Sequence, residues 1–173
     1  MNKQLLLELN LYIKKTRTED ILIRESGEKY GEAIPAKSDK KVLKREAKEL
    51  DNYINNEKSE ETFAVKLMHH IDKKGVADAE IYKKAGLDRR HFSKIRCDKY
   101  YRPKKTTVIA LCIALELNLN ETEKMLQLAG YSFSNSDISD LVVKFFIERK
   151  IYDLTAVNEA LDYYGQKLLG VVG

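Results

Sequence analysis

Apolar residues recur three and four places apart through most of this chain, and that spacing is what most restricts its fold. Phe63, Leu67 and Ile71 form one such set, and Ile109, Cys112, Ile113 and Leu117 form another. On a helix these positions share one face; on a strand they would be scattered over both. Runs that alternate apolar and polar residues are nearly absent, and there are only two prolines, Pro35 and Pro103. The expected fold class is all-α.

Start and stop signals divide the pattern into helices. Leu5, Leu9 and Ile13 mark a short N-terminal helix. Residues 14–37 lose the periodicity and read as a linker or arm, in which Ile21-Leu22-Ile23 could pack locally. Ser38 is placed to cap a helix carrying Leu43, Ala47, Leu50 and Ile54, a heptad-like spacing too short on its own to claim a coiled coil. The Phe63 helix stops at Gly75. A brief helix over 78–85 leads to Gly86 and a turn, and Asp88 can cap a helix over 89–96. Residues 98–103 form a loop before the most apolar helix, about 108–117. Asn120 with Glu123 reads as a capping-box variant opening a further helix that ends at Gly130. Two more helices are expected at about 138–148 and 154–164. These divide the chain into an N-terminal helical arm and linker (1–58), a central domain (59–131) and a C-terminal helical extension (132–173).

Charge is spread unevenly along these elements. The chain has 31 Lys or Arg and 27 Asp or Glu, yet residues 83–105 hold ten of the bases and only two of the acids. Residues 1–82 are balanced at 16 of each, and residues 106–173 are acidic, with five bases against nine acids. A basic block this local is the footprint of a polyanion site, or else a solvated charged face. The pattern beneath the charges favours the polyanion. Burying Ile81, Ala85, Leu87, Phe92 and Ile95 where two short helices cross turns Arg89, Arg90, Ser93, Lys94 and Arg96 outward. Arg89, Arg90, Ser93 and Lys94 are the candidates for base contacts in a major groove. Lys83, Lys84, His91, Lys99, Arg102, Lys104 and Lys105 are the candidates for DNA backbone contacts.

The stretch Ile81-Tyr82-Lys83-Lys84-Ala85-Gly86-Leu87-Asp88-Arg89-Arg90-His91-Phe92-Ser93-Lys94-Ile95-Arg96 resembles the two central helices of the lambda-repressor-like, or Xre-type, helix-turn-helix family. The likeness continues through Arg102-Pro103 and 110–118 to Asn120-Glu121, about 40% of the chain. It implies a five-helix DNA-binding domain over 59–131. The chain departs from the family pattern twice: Tyr82 stands where a small residue is usual, and Asp78 where a Gln-like group meets a phosphate. Residues 61–170, including Asp140 to Glu148, are also similar to a C-terminal module of some bacterial macro-domain proteins. That likeness implies a portable unit, used either to find DNA or as an adaptor.

Other signals carry less. His69 and His70 are adjacent and point about 100° apart on a helix, and His91 lies far along the chain, so no metal site is expected. Tyr100-Tyr101 could stack on bases or cover the core. Cys97 and Cys112 are too few for a disulfide framework, which favours a reducing cytoplasm. Cys97, among basic neighbours, could also act as a reactive thiol. No segment has the length of apolar sequence that a membrane span needs, and the N-terminus lacks signal-peptide features. There is no phosphate-cradling glycine loop, nucleophile elbow or suggestive carboxylate pair, so neither an enzyme nor a cofactor is expected. The expected function is a DNA-binding transcriptional regulator on double-stranded DNA, working as a homodimer. The alternative is an adaptor that holds a protein partner through its C-terminal helices. The apolar runs 142–147 and 154–161 are candidates for a dimer surface, or for packing onto the central domain.

Overall fold

A computed structural model of the chain describes Leu5 and residues 8–13, 40–57 and 61–170. The expectations for the arm at 14–37 and for a cap at Ser38 fall outside these residues. Every regular element described is helical: residues 8–13 (α1), α2 (Lys40–Glu57), α3 (Phe63–Lys74), α4 (Asp78–Lys84), α5 (Arg89–Cys97), α6 (Lys105–Ala114), α7 (Leu119–Leu128), α8 (Ile138–Glu148) and α9 (Leu154–Tyr163). Among the described residues no helix is long and apolar enough to cross a membrane. The chain divides into two units, Met1–Glu25 with Glu61–Gly173, and Ser26–Glu60.

Local chemistry sets the helix ends. Thr62 caps α3 through its side chain, and Gly75 closes it at φ 68°, a left-handed conformation that costs glycine little. The Asp88 carboxylate accepts the His91 N–H at 2.8 Å to cap α5. The capping box of α7 is Asn118 with Glu121, two residues before the pair expected from sequence. The reason lies upstream. α6 ends at Ala114, Glu116 turns the chain at φ 58°, and Leu117 is buried outside the helix, so Asn118 is first in position to cap.

Eight of the ten residues of α6 are buried, from Thr107 to Ala114, so this helix is covered on all sides. It touches α4, α7 and α9; α3 packs on α5 and α7, and α8 bridges α7 and α9. Of the apolar residues of the C-terminal pair, Leu141, Val142, Val143, Phe145, Phe146, Ile147, Val157, Ala160 and Leu161 are buried within the chain itself, Ile138, Leu154 and Ala156 are partly buried, and Tyr163 is exposed. Of the two roles open to that pair, packing onto the central domain is the one the structure has.

The N-terminal helix joins the same core. Leu9 and Ile13 are buried, and the Tyr12 ring meets Phe145 edge-on at 5.5 Å between centroids. The Tyr12 hydroxyl donates to Glu148 at 3.1 Å, Tyr164 donates to Asn10 at 2.8 Å, and Arg149 pairs with Glu8 at 3.0 Å. Burial, and then the Glu148 charge, push the Tyr12 hydroxyl up to about 12. At the other end, the Asn158 side chain holds both the N–H and the carbonyl of Leu169, at 2.8 and 3.1 Å. Gly170 follows at φ 70° against the turn between α4 and α5, where a Cβ would overlap the Ala85 carbonyl oxygen.

Candidate nucleic-acid interface

The α4–α5 pair is built as its sequence predicts. Ile81, Ala85, Leu87, Phe92 and Ile95 are buried, and Gly86 makes the turn at φ 65°. Tyr82 lies at the crossing with its ring tilted on Phe92, 5.7 Å between centroids, so the larger side chain is accommodated beside the contact. With Phe92 and Ile95 fixed inward, helical geometry leaves Arg89, Arg90, Ser93, Lys94, Arg96 and Cys97 exposed. Among the described residues no acidic side chain pairs with Arg89, Arg90 or Lys94. The Lys94 ammonium sits 4.5 Å from the centre of the Tyr101 ring, a cation–π contact that steers its stem without neutralising it.

The cations assigned to backbone contacts differ more in their surroundings. Lys83 is exposed and Lys84 pairs with Glu80 at 3.0 Å on the same helix. Lys99 lies 6.0 Å from the Tyr100 ring centre, and the Arg102 guanidinium lies beside Gly130 at the end of α7. Lys104 is exposed at the N-cap of α6, which has no side-chain cap. His91 is half-buried and turned onto Tyr101, its Nε2 3.5 Å from the hydroxyl. Lys105 points elsewhere: its ammonium donates at 2.6 Å to Asp140, a carboxylate only 1% exposed. A charge count cannot see this partner, which lies on α8.

Arg96 also has a commitment that sequence reasoning missed. It forms a hydrogen-bonded ion pair with Asp78 at the start of α4. Asp78 is therefore not the cap of α4, which begins from Ala77 with no side-chain cap. Between the two helices runs a groove of about 490 Å³ lined by Asp78, Ala79, Tyr82, Arg89, Phe92, Ser93 and Arg96. Its rim is cationic on the α5 side and carries the Asp78 carboxylate on the α4 side.

The remaining sequence signals are placed as follows. Tyr101 packs against the core and Tyr100 is 69% exposed. Cys97 is exposed, with its sulfur 3.9 Å from the Ser93 hydroxyl, and Cys112 is buried in α6. Burial holds the Cys112 thiol up at about 12 and keeps His70 below the usual histidine range. Among the described residues no group of His, Cys, Asp or Glu is arranged to hold a metal ion.

No family model, curated protein or solved structure matches the chain.

Proposed function

We propose that this chain is a cytoplasmic DNA-binding transcription regulator in which α3 to α7 form a five-helix lambda-repressor-like domain. The observation that carries the proposal is the outer face of α5. Arg89, Arg90, Ser93 and Lys94 stand exposed on a nine-residue helix whose opposite face is locked into the core. An exposed helix of this kind fits a major groove, where arginine bonds guanine edges through two nitrogens and serine accepts or donates to several bases. Lys83, Lys84, Lys99, Arg102 and Lys104 supply phosphate contacts that set the docking register. Lys105 and His91 drop out of that set, because one is spent on Asp140 and the other is turned onto Tyr101.

One such domain buries little surface, so useful affinity calls for two copies on neighbouring half-sites. The test is titration of random-sequence duplex DNA at several salt concentrations. Five neutralised phosphates per domain predict a log–log slope of about −4.5 for each copy bound. Arg89→Glu with Arg90→Glu is expected to abolish binding and leave the melting temperature unchanged, since both side chains are exposed. A double variant with full DNA affinity would sink the assignment of α5.

An adaptor without specific DNA binding is the second reading, and Asp78 is the observation that favours it. Its carboxylate stands at the start of α4, repels phosphate there, and engages Arg96. The absence of any binding to duplex DNA at low salt would decide for the adaptor.

A further inference from the structure

The C-terminal half of α2 presents apolar side chains to water. Every described side chain from Lys48 to Asn56 is exposed, and three are large and apolar: Leu50 at 57%, Tyr53 at 64% and Ile54 at 48%. A helix of this length draws most of its stability from burying an apolar stripe, and Leu50 and Ile54 of that stripe face water. Its charges oppose the fold as well. Residues 40–48 carry five Lys or Arg against one Glu, whereas residues 49–57 carry three acids and no base. The first turn holds no acid and the last turn no base. Cations therefore crowd the positive end of the helix dipole and anions the negative end, the reverse of what an isolated helix favours.

A second copy of the same helix, running antiparallel, corrects both faults at once. The basic half of each helix then lies beside the acidic half of the other, and the two dipoles oppose. The spacing of Leu43, Ala47, Leu50 and Ile54 suits this arrangement. In the register that sets Ala47 against Leu50 of the second copy, Leu43 meets Ile54. Lys44 and Asp51 then flank the seam opposite each other. A two-fold axis through the centre repeats every contact, as a closed dimer requires.

We propose that α2 is the self-association element of this protein, pairing antiparallel with α2 of a second copy through Leu43, Ala47, Leu50 and Ile54. The proposal does not depend on DNA binding, because the pairing is a property of the free chain. It supplies what the C-terminal helices do not, since most of their apolar side chains, from Leu141 to Ile147 and Val157 to Leu161, are already buried in their own chain. The seam from Leu43 to Ile54 is under two heptads long, so the pairing is weak, with a dissociation constant on the order of tens of micromolar.

The test is sedimentation equilibrium of the full chain without DNA, from about 1 to 200 µM, a range that brackets that affinity. The expected result is a shift from the 20.0 kDa monomer mass toward twice that value as concentration rises. Leu50→Glu with Ile54→Glu is expected to hold the chain monomeric throughout without lowering its melting temperature. Lys44→Glu places two acids opposite each other at two symmetric points and is expected to weaken the dimer about tenfold. Adding Asp51→Lys restores it, as only antiparallel pairing allows. A wild-type chain that stays monomeric at the highest concentration overturns the proposal. So does a dimer that survives the Leu50 and Ile54 changes, or a charge swap that fails to restore association.

Discussion

The Lys105–Asp140 pair offers the sharpest test of these contacts, because removing either partner has a different consequence. Asp140 is 1% exposed, and its Oδ2 accepts both the Lys105 ammonium at 2.6 Å and the Ser134 N–H at 2.7 Å. The Lys105 side chain is 27% exposed, so its ammonium can swing to water if the carboxylate is lost. Lys105→Met strands a buried anion, for which the usual cost is about 3–5 kcal/mol. The retained Ser134 bond and the position of Asp140 in the first turn of α8 reduce this to about 2–3 kcal/mol. Asp140→Leu leaves a lysine that can rehydrate and one N–H without its acceptor, for about 1–2 kcal/mol. The double variant removes both charges together but keeps the Ser134 N–H without its acceptor, so it is expected to cost about 1–2 kcal/mol, no more than Asp140→Leu alone. The interaction energy across the cycle is then about −2 to −3 kcal/mol, large enough to read from urea unfolding with matched slopes. In thermal terms, Lys105→Met lowers the melting temperature by about 5–10 °C for a chain of this size. A Lys105→Met variant within about 0.5 kcal/mol of wild type would refute the reasoning. Lys105 would then be an ordinary surface cation, free for phosphate as the charge pattern alone suggests.

Two further outcomes follow from the candidate interface and the core. Asp78→Asn removes a repulsive charge from the rim of the groove and releases Arg96, so duplex affinity at low salt is expected to rise roughly fivefold; an unchanged or lower affinity by fluorescence anisotropy would show that Asp78 positions Arg96 instead. A thiol reagent at about pH 8 is expected to find one equivalent in the folded chain, at exposed Cys97, and a second only in denaturant. The reason is that burial pushes the Cys112 thiol up to about 12. Reaction of both thiols under native conditions would show that α6 is not covered on all sides.

Signals carried by neighbouring residues are legible in the sequence, and those carried by distant ones are not. The Gly75 stop, the Gly86 turn and the Asp88 cap each act within four residues, and the observed bounds of α3, α4 and α5 follow them. The same holds for the outward face of α5, which is fixed once Phe92 and Ile95 point inward. Two frames of one capping signal, Asn118 with Glu121 and Asn120 with Glu123, are equally good locally. Choosing between them needs the left-handed turn at Glu116, which no residue type announces. Lys105 and Arg96 are harder still. Their partners, Asp140 and Asp78, are 35 and 18 residues away. A run of charges reveals how many cations are present and nothing about which are already spent.

The docking of the chain ends is beyond periodicity for the same reason, and it changes what the α4–α5 pair is made of. Leu9 and Ile13 read only as one face of a short helix; that the face meets α8 rests on Phe145, Glu148, Arg149 and Tyr164. The tail after α9 has no helical signal at all, yet Asn158 fixes Leu169 so that Gly170 presses on the Ala85 carbonyl. A side chain at 170 would overlap that backbone and is also disfavoured by the φ of 70°. The crossing of α4 and α5 is therefore held from two directions: by Ile81, Tyr82, Phe92 and Ile95 from within, and by the C-terminal tail from outside. If α5 is the element that meets DNA, its docking angle depends on residues far from any it would touch. On this geometry the C-terminal extension is a wall of the α4–α5 pair rather than an appendage to it.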